Sequence, residues 1–178
     1  VIANAQAQHI EHMLCVCVSL AEFDQMAAKV AAFANVSVSC GEHPLHQSDS
    51  VDVDLLARLA AQPEVVAVGE TGLDYFYNPD SKLSQQDGFV KHISVARQLN
   101  KPLIIHTRDA RADTINLMKM HQAGDAGAHR AQSDQSDLCQ CHDHPPVSAA
   151  ICVSRRSGAA QTGLATPRRS TSSANDVR

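Results

Sequence analysis

The sequence predicts an α/β protein built on a parallel sheet. Two observations carry this. Short apolar runs alternate with amphipathic stretches through residues 12–121. The runs are apolar without a break rather than at every second residue, as strands covered on both faces are. A third observation concerns function. Successive apolar runs stop on polar residues able to bind a metal or an anion, and parallel α/β folds gather function at the C-terminal ends of their strands.

Taken in order, residues 1–8 (VIANAQAQ) have helical composition, and residues 12–19 (HMLCVCVS) form a β-type run. Residues 20–34 place Phe23, Met26, Ala27, Val30 and Phe33 at helical spacing, with Ser19 as the expected N-cap. Residues 36–44 (VSVSCGEHP) read as a second strand entering a Gly-containing loop. Residues 52–61 form a helix with Leu55, Leu56 and Leu59 inward, ended near Pro63. A third strand is expected over 65–70 (VVAVGE). A helix over 84–99 has Phe89, Ile93 and Ala96 on one face. A fourth strand follows over 102–107 (PLIIHT), and a helix over 112–121.

Beyond residue 121 the pattern stops. Every aromatic residue, every Lys and every Glu lies before that point. Residues 122–178 have little to bury and are expected to be disordered. Such Arg-, Ala-, Ser- and Pro-rich text is what GC-rich coding DNA gives when read out of frame, so a frameshift near residues 122–127 is expected. The expected organisation is a folded unit over 1–121 and a low-complexity tail over 122–178.

The net charge of −4 provides no global field to attract nucleic acid, so any polyanion binding must rest on local groups or metal ions. No apolar run reaches about 18 residues, so no membrane span is expected. Without a leader-like N-terminus the location defaults to the cytoplasm. Cys15, Cys17 and Cys40 sit in apolar runs and read as small buried hydrophobes rather than a disulfide framework. Cys139, Cys141, His142 and His144 form a C-x-C-H-x-H string that is not a standard finger spacing. The pairs Arg155–Arg156 and Arg168–Arg169 are too sparse to argue nucleic-acid binding.

Glu70 closes a wholly apolar run, where a carboxylate must be paired, metal-bound or at a wet rim. His106 closes the next run in the same way. Carboxylate and imidazole on neighbouring strands suit Zn²⁺, Mn²⁺ or Fe²⁺. The alternatives are a rim salt bridge for Glu70 and a hydrogen-bonded core imidazole for His106. Asp74 and Asp109 could support the ligands or cap the next helix; for Asp109 the cap is the stronger reading. His43 could hold a substrate phosphate or serve as a turn residue. Arg108 could clamp a phosphate or lie solvated on the surface. Two ligands fall short of a two-metal hydrolase site, which uses roughly five or six protein ligands around metals about 3.5–4 Å apart.

The segments VVAVGETGLDYFY, NKPLIIHTRDARADT and SCGEHPLHQ, in this order and spacing, resemble the TatD-like metal-dependent deoxyribonucleases, over about residues 1–122. The resemblance implies a (βα)8 TIM barrel, of which this chain holds about strands two to five. It implies two divalent metal ions (Mg, Mn or Zn) and DNA phosphodiester bonds as substrate, often attacked 3′ to 5′. Glu70 matches the glutamate that bridges the metals, and His106 a histidine ligand. His43 matches the histidine of a G-x-H-P segment near the substrate phosphate. The family's first-strand H-x-H pair, sixth-strand histidine and eighth-strand aspartate have no counterpart here, and Glu42 stands where a small apolar residue is usual.

These departures imply a partial barrel with open edges, prone to self-association and inactive as a nuclease. Two other readings stand beside this one. The first is a non-catalytic, self-associating fragment. The second is an amidohydrolase-type enzyme acting on another ester, since loops rather than metals choose the substrate.

Overall fold

The computed structural model describes residues 1–47, 50–125, 130–132 and 149–154. The chain opens with helix α1 (Ile2–Ala7) and strand β1 (His12–Cys17). A 3₁₀ turn at Leu20–Glu22 leads into α2 (Phe23–Val30) and then β2 (Val36–Cys40). Helix α3 (Val53–Ala60) precedes β3 (Val65–Asp74), and α4 (Lys82–Leu99) precedes β4 (Leu103–Arg108). Helix α5 (Arg111–Met120) follows, then the short strand β5 (Arg130–Gln132) and strand β6 (Ala149–Ser154).

The six strands form one sheet in the order β5-β4-β3-β2-β1-β6. Every neighbouring pair from β5 to β1 is parallel, and strands β1–β4 make the curled half-barrel that the sequence predicts. β6 pairs antiparallel along the outer edge of β1, from His12↔Ser154 to Cys17↔Ala149. That edge, expected to be open, is therefore paired. The segment expected to be disordered thus supplies β5 and β6 to the sheet; residues 126–129, 133–148 and 155–178 lie outside the described residues, and with them the C-x-C-H-x-H string and both arginine pairs. Among the described residues no helix is long and apolar enough to cross a membrane.

The core lies between the sheet and its helices, around Phe23, Leu56, Val68, Phe89, Ile93 and Ile105. Fully burying side chains of this size contributes roughly 1.5–3 kcal/mol each. The predicted inner faces of α3 and α4 are the buried ones: Leu56 and Leu59, and Phe89, Ile93 and Ala96. Cys15, Cys17 and Cys40 are free and buried, as expected. Asp52 caps α3 by accepting from the Leu55 N–H at 3.0 Å.

Two caps differ from expectation. Ser19 precedes the 3₁₀ turn without a side-chain cap bond. The Leu20 N–H is taken instead by Glu42 Oε2 at 2.8 Å, a carboxylate from the next strand end. Asp109 does not cap α5 either; it has φ +53°, and Ala110 holds the N-cap position.

β3 runs four residues beyond the expected Glu70. Its register against β4 shifts between Val68 and Thr71, then resumes from Thr71↔Ile105 through Gly72↔His106 to Asp74↔Arg108. Gly69 makes this possible. It has φ +136°, and a Cβ there would lie 2.4 Å from the Ile104 carbonyl oxygen. Only glycine tolerates that backbone and that approach. The extra residue re-aims the side chains next to it, and Glu70 is one of them.

Candidate metal centre at the rim of the sheet

Three strand ends deliver the predicted residues to one place. His43 follows β2, Glu70 sits at the β3 irregularity, and His106 lies on β4. One ligand atom from each falls within 4.8 Å of the others. The His43 and His106 rings meet edge-on, with centroids 4.5 Å apart. His106 Nδ1 stands 3.6 Å from Glu70 Oε1. Carboxylate and imidazole donors so grouped fit a divalent ion of the Zn²⁺, Mn²⁺ or Fe²⁺ kind.

Asp74 orients this group. It is a strand-end residue rather than the loop residue its spacing suggests, and it is 1% exposed. Its Oδ2 lies 3.0 Å from His106 Nε2. Its Oδ1 accepts from the Phe76 and Tyr77 N–H groups at 3.1 and 3.0 Å. A carboxylate accepts only, so Nε2 of His106 must donate. That leaves Nδ1 facing Glu70: in the neutral ring it carries the lone pair, the tautomer that a metal ligand needs, and in the protonated ring it donates to that carboxylate.

The charges follow from these contacts. Burial raises the Glu70 carboxyl, but the hydrogen bond and charge of His106, with His43, outweigh it and hold it below the usual carboxylate range. Asp74 is held low too: the Tyr77 N–H and His106 outweigh its desolvation. Burial lowers the His106 imidazole, yet Glu70 and Asp74 raise it above its ordinary value. His43 goes the other way. Desolvation dominates and lowers it to about 4. It is neutral at pH 7, and its Nδ1 accepts the Leu45 N–H at 3.2 Å. Its ring proton is then on Nε2, which makes His43 a donor at that nitrogen.

Arg108 ends β4 with its guanidinium over two rings, 4.1 Å from the Phe76 centroid and 4.5 Å from that of Tyr77. It is held by aromatic faces rather than left solvated.

Two supporting side chains escaped the sequence reading. Gln85 is fully buried. Its Oε1 accepts from the Asp74 N–H at 2.7 Å, and its Nε2 donates to the Asp74 carbonyl at 3.0 Å. His92, also fully buried, accepts the Glu42 N–H on Nε2 at 3.0 Å and bonds the Gly88 carbonyl through Nδ1 at 2.7 Å. It thereby fixes the loop that presents His43. Both sit on the inward stripe of α4 with Phe89, Ile93 and Ala96. A polar residue on an apolar stripe is the signal that could have found them.

Comparison with known proteins agrees with this geometry. The family profile described as "TatD related DNase" matches residues 1–166, past the boundary expected near residue 121. The chain is 48% identical over 127 residues to the "Uncharacterized metal-dependent hydrolase YcfH" of Escherichia coli K12, covering 71% of this chain and 48% of that protein. It is 35% identical over 120 residues to the "3'-5' ssDNA/RNA exonuclease TatD" of Cronobacter turicensis, covering 66% and 45%. Among solved structures, the TatD homolog YJJV of Escherichia coli K12 superposes with a TM-score of 0.56 at 21% identity, covering 69% of this chain and 51% of that one. A TatD family hydrolase from Entamoeba histolytica gives 0.57 at 24% identity, covering 67% and 44%. The chain spans about half the length of the curated relatives it matches.

Proposed function

Since the chain belongs to the family of TatD-related DNases, we propose that its rim serves metal-dependent hydrolysis of phosphodiester bonds in single-stranded nucleic acid. The observation that carries this is the convergence of His43, Glu70 and His106 within 4.8 Å at successive strand ends. The name of the Cronobacter relative supports the substrate class.

Glu70 and His106 hold the metal. A divalent ion bound there would polarise a phosphoryl oxygen and lower the pKa of a bound water. Asp74 keeps the His106 lone pair directed to the site. His43, neutral at pH 7, donates from Nε2 to a phosphate oxygen. Arg108 supplies a fixed positive charge beside the site.

Among the described residues the ligand set is that of one ion, and a two-metal in-line displacement draws on more ligands. The 178-residue chain is therefore expected to bind one Mn²⁺ and not to turn over DNA. Calorimetric titration with Mn²⁺ tests the first part. Glu70→Ala should weaken binding at least tenfold, and equal affinity in the variant would overturn the metal reading. Turnover of single-stranded DNA that Glu70→Ala abolishes would overturn the expected inactivity.

A further inference from the structure

Phe76 and Tyr77 are large rings left in the open, 54% and 62% exposed, directly after β3. They stand edge-to-face with centroids 4.9 Å apart. The Arg108 guanidinium lies over both, and Lys82 Nζ stands 4.6 Å over the ring of neighbouring Tyr75. Two exposed rings with a planar cation between them have the composition of a stacking surface: ring faces for bases, guanidinium edges for phosphate.

The position of this cluster is fixed by the metal centre itself. One oxygen of Asp74 holds the Phe76 and Tyr77 N–H groups, and the other holds His106. Gln85 locks the Asp74 backbone from beneath. Rings and ligand are therefore registered against each other by a single buried carboxylate.

We infer that Phe76, Tyr77 and Arg108 form a platform that stacks an unpaired nucleobase and so positions a single-stranded nucleic acid at the Glu70–His106 rim. This rests on the hydrolase reading of that rim. A duplex keeps its base faces stacked on one another, whereas a single strand offers a face to each ring. The net charge of −4 gives no general attraction for a polyanion, so binding depends on this local cluster.

The chain has no Trp and only two Tyr, so its tyrosine emission comes from Tyr77 of the platform and its neighbour Tyr75, and Tyr75→Phe isolates the platform signal. In EDTA, a short oligodeoxythymidine should quench that emission in the full chain and in Tyr75→Phe. Tyr77→Phe should lose the quenching while binding labelled oligomer within about twofold of wild type. Replacing Phe76 and Tyr77 together by Leu keeps apolar bulk but removes the π faces. Anisotropy should then show affinity falling about tenfold or more for each ring. An abasic oligomer of the same length should bind the wild type as weakly as the Leu double variant binds the normal one. Undiminished affinity in the double variant, equal binding of the abasic oligomer, or no oligomer binding by the wild type would each overturn the platform. Mn²⁺ affinity measured on the same samples keeps the two readings apart. Platform failure with Mn²⁺ bound leaves the metal centre standing, and loss of Mn²⁺ binding strikes the reading beneath it.

Discussion

Asp74→Asn changes one atom and should uncouple metal affinity from folding. In the native chain Oδ1 takes two backbone N–H groups and Oδ2 takes the His106 Nε2 proton. An asparagine placed here has no freedom to choose its orientation. The Phe76 and Tyr77 N–H groups at 3.1 and 3.0 Å require its oxygen, so its NH₂ must face His106. A donor facing Nε2 forces that nitrogen to accept, and the ring proton moves to Nδ1. Nδ1 is the atom 3.6 Å from Glu70, so the lone pair meant for the metal is lost. Disturbing such an orienting carboxylate typically costs 10–100-fold in metal affinity. The two backbone bonds survive, so stability in EDTA should fall by only about 1 kcal/mol. Asp74→Ala is the contrast. It leaves two backbone donors without their acceptor, at about 1–3 kcal/mol each where they are buried. The assay is Mn²⁺ calorimetry beside urea unfolding in EDTA. Asp74→Asn binding Mn²⁺ as tightly as the wild type would refute the tautomer argument.

Two further outcomes follow from buried groups around the site. Burial lowers His92 from 6.5 to about 4 in the folded chain. Between these values the unfolded chain takes up a proton that the folded one refuses, so stability is lost as pH falls through that window. At 1.36 kcal/mol per unit, going from pH 6.5 to 5 should cost about 2 kcal/mol. His43, also lowered to about 4 by burial, adds a slope of the same sign, so His92→Gln should lessen rather than flatten that part of a urea-midpoint-against-pH curve, and an unchanged slope would refute the His92 contribution. Gly41→Ala would place a Cβ 2.5 Å from the Gly69 Cα, backbone against backbone, and should cost about 3 kcal/mol. At Gly88 an added Cβ meets only the movable end of Gln47, so Gly88→Ala should be far milder. Thermal unfolding of the two variants side by side checks the difference.

The four parallel strands β1–β4, the element order through α5 and the three strand ends that carry candidate ligands were legible in the residues themselves, whereas β5 and β6 were not. Continuous apolar runs such as Leu103-Ile104-Ile105 can be satisfied only between two covered faces. The polar residue that ends each run must then reach a rim. The inward faces of α3 and α4 were readable for a similar reason: helical periodicity is local. The end of β3 was less legible. A glycine inside an apolar run reads equally as a stop or as a bulge, and only the partner strand shows that pairing resumes at Thr71.

What tertiary structure alone decided is which atoms of the candidate residues are engaged. Sequence determined that Glu70, His106 and His43 reach one rim, because strand ends are set by local pattern. It did not determine that Asp74 holds His106 by one nitrogen while Leu45 holds His43 by another. Nor did it determine that Arg108 lies over Phe76 and Tyr77 rather than in solvent. The Asp74 and Arg108 contacts join residues distant in the chain and are made only when β3 and β4 register around the Gly69 bulge, whereas the Leu45–His43 bond is local. Hydrogen-bond direction and ring tautomer are properties of the neighbour, not of the residue, and neighbours are chosen by folding.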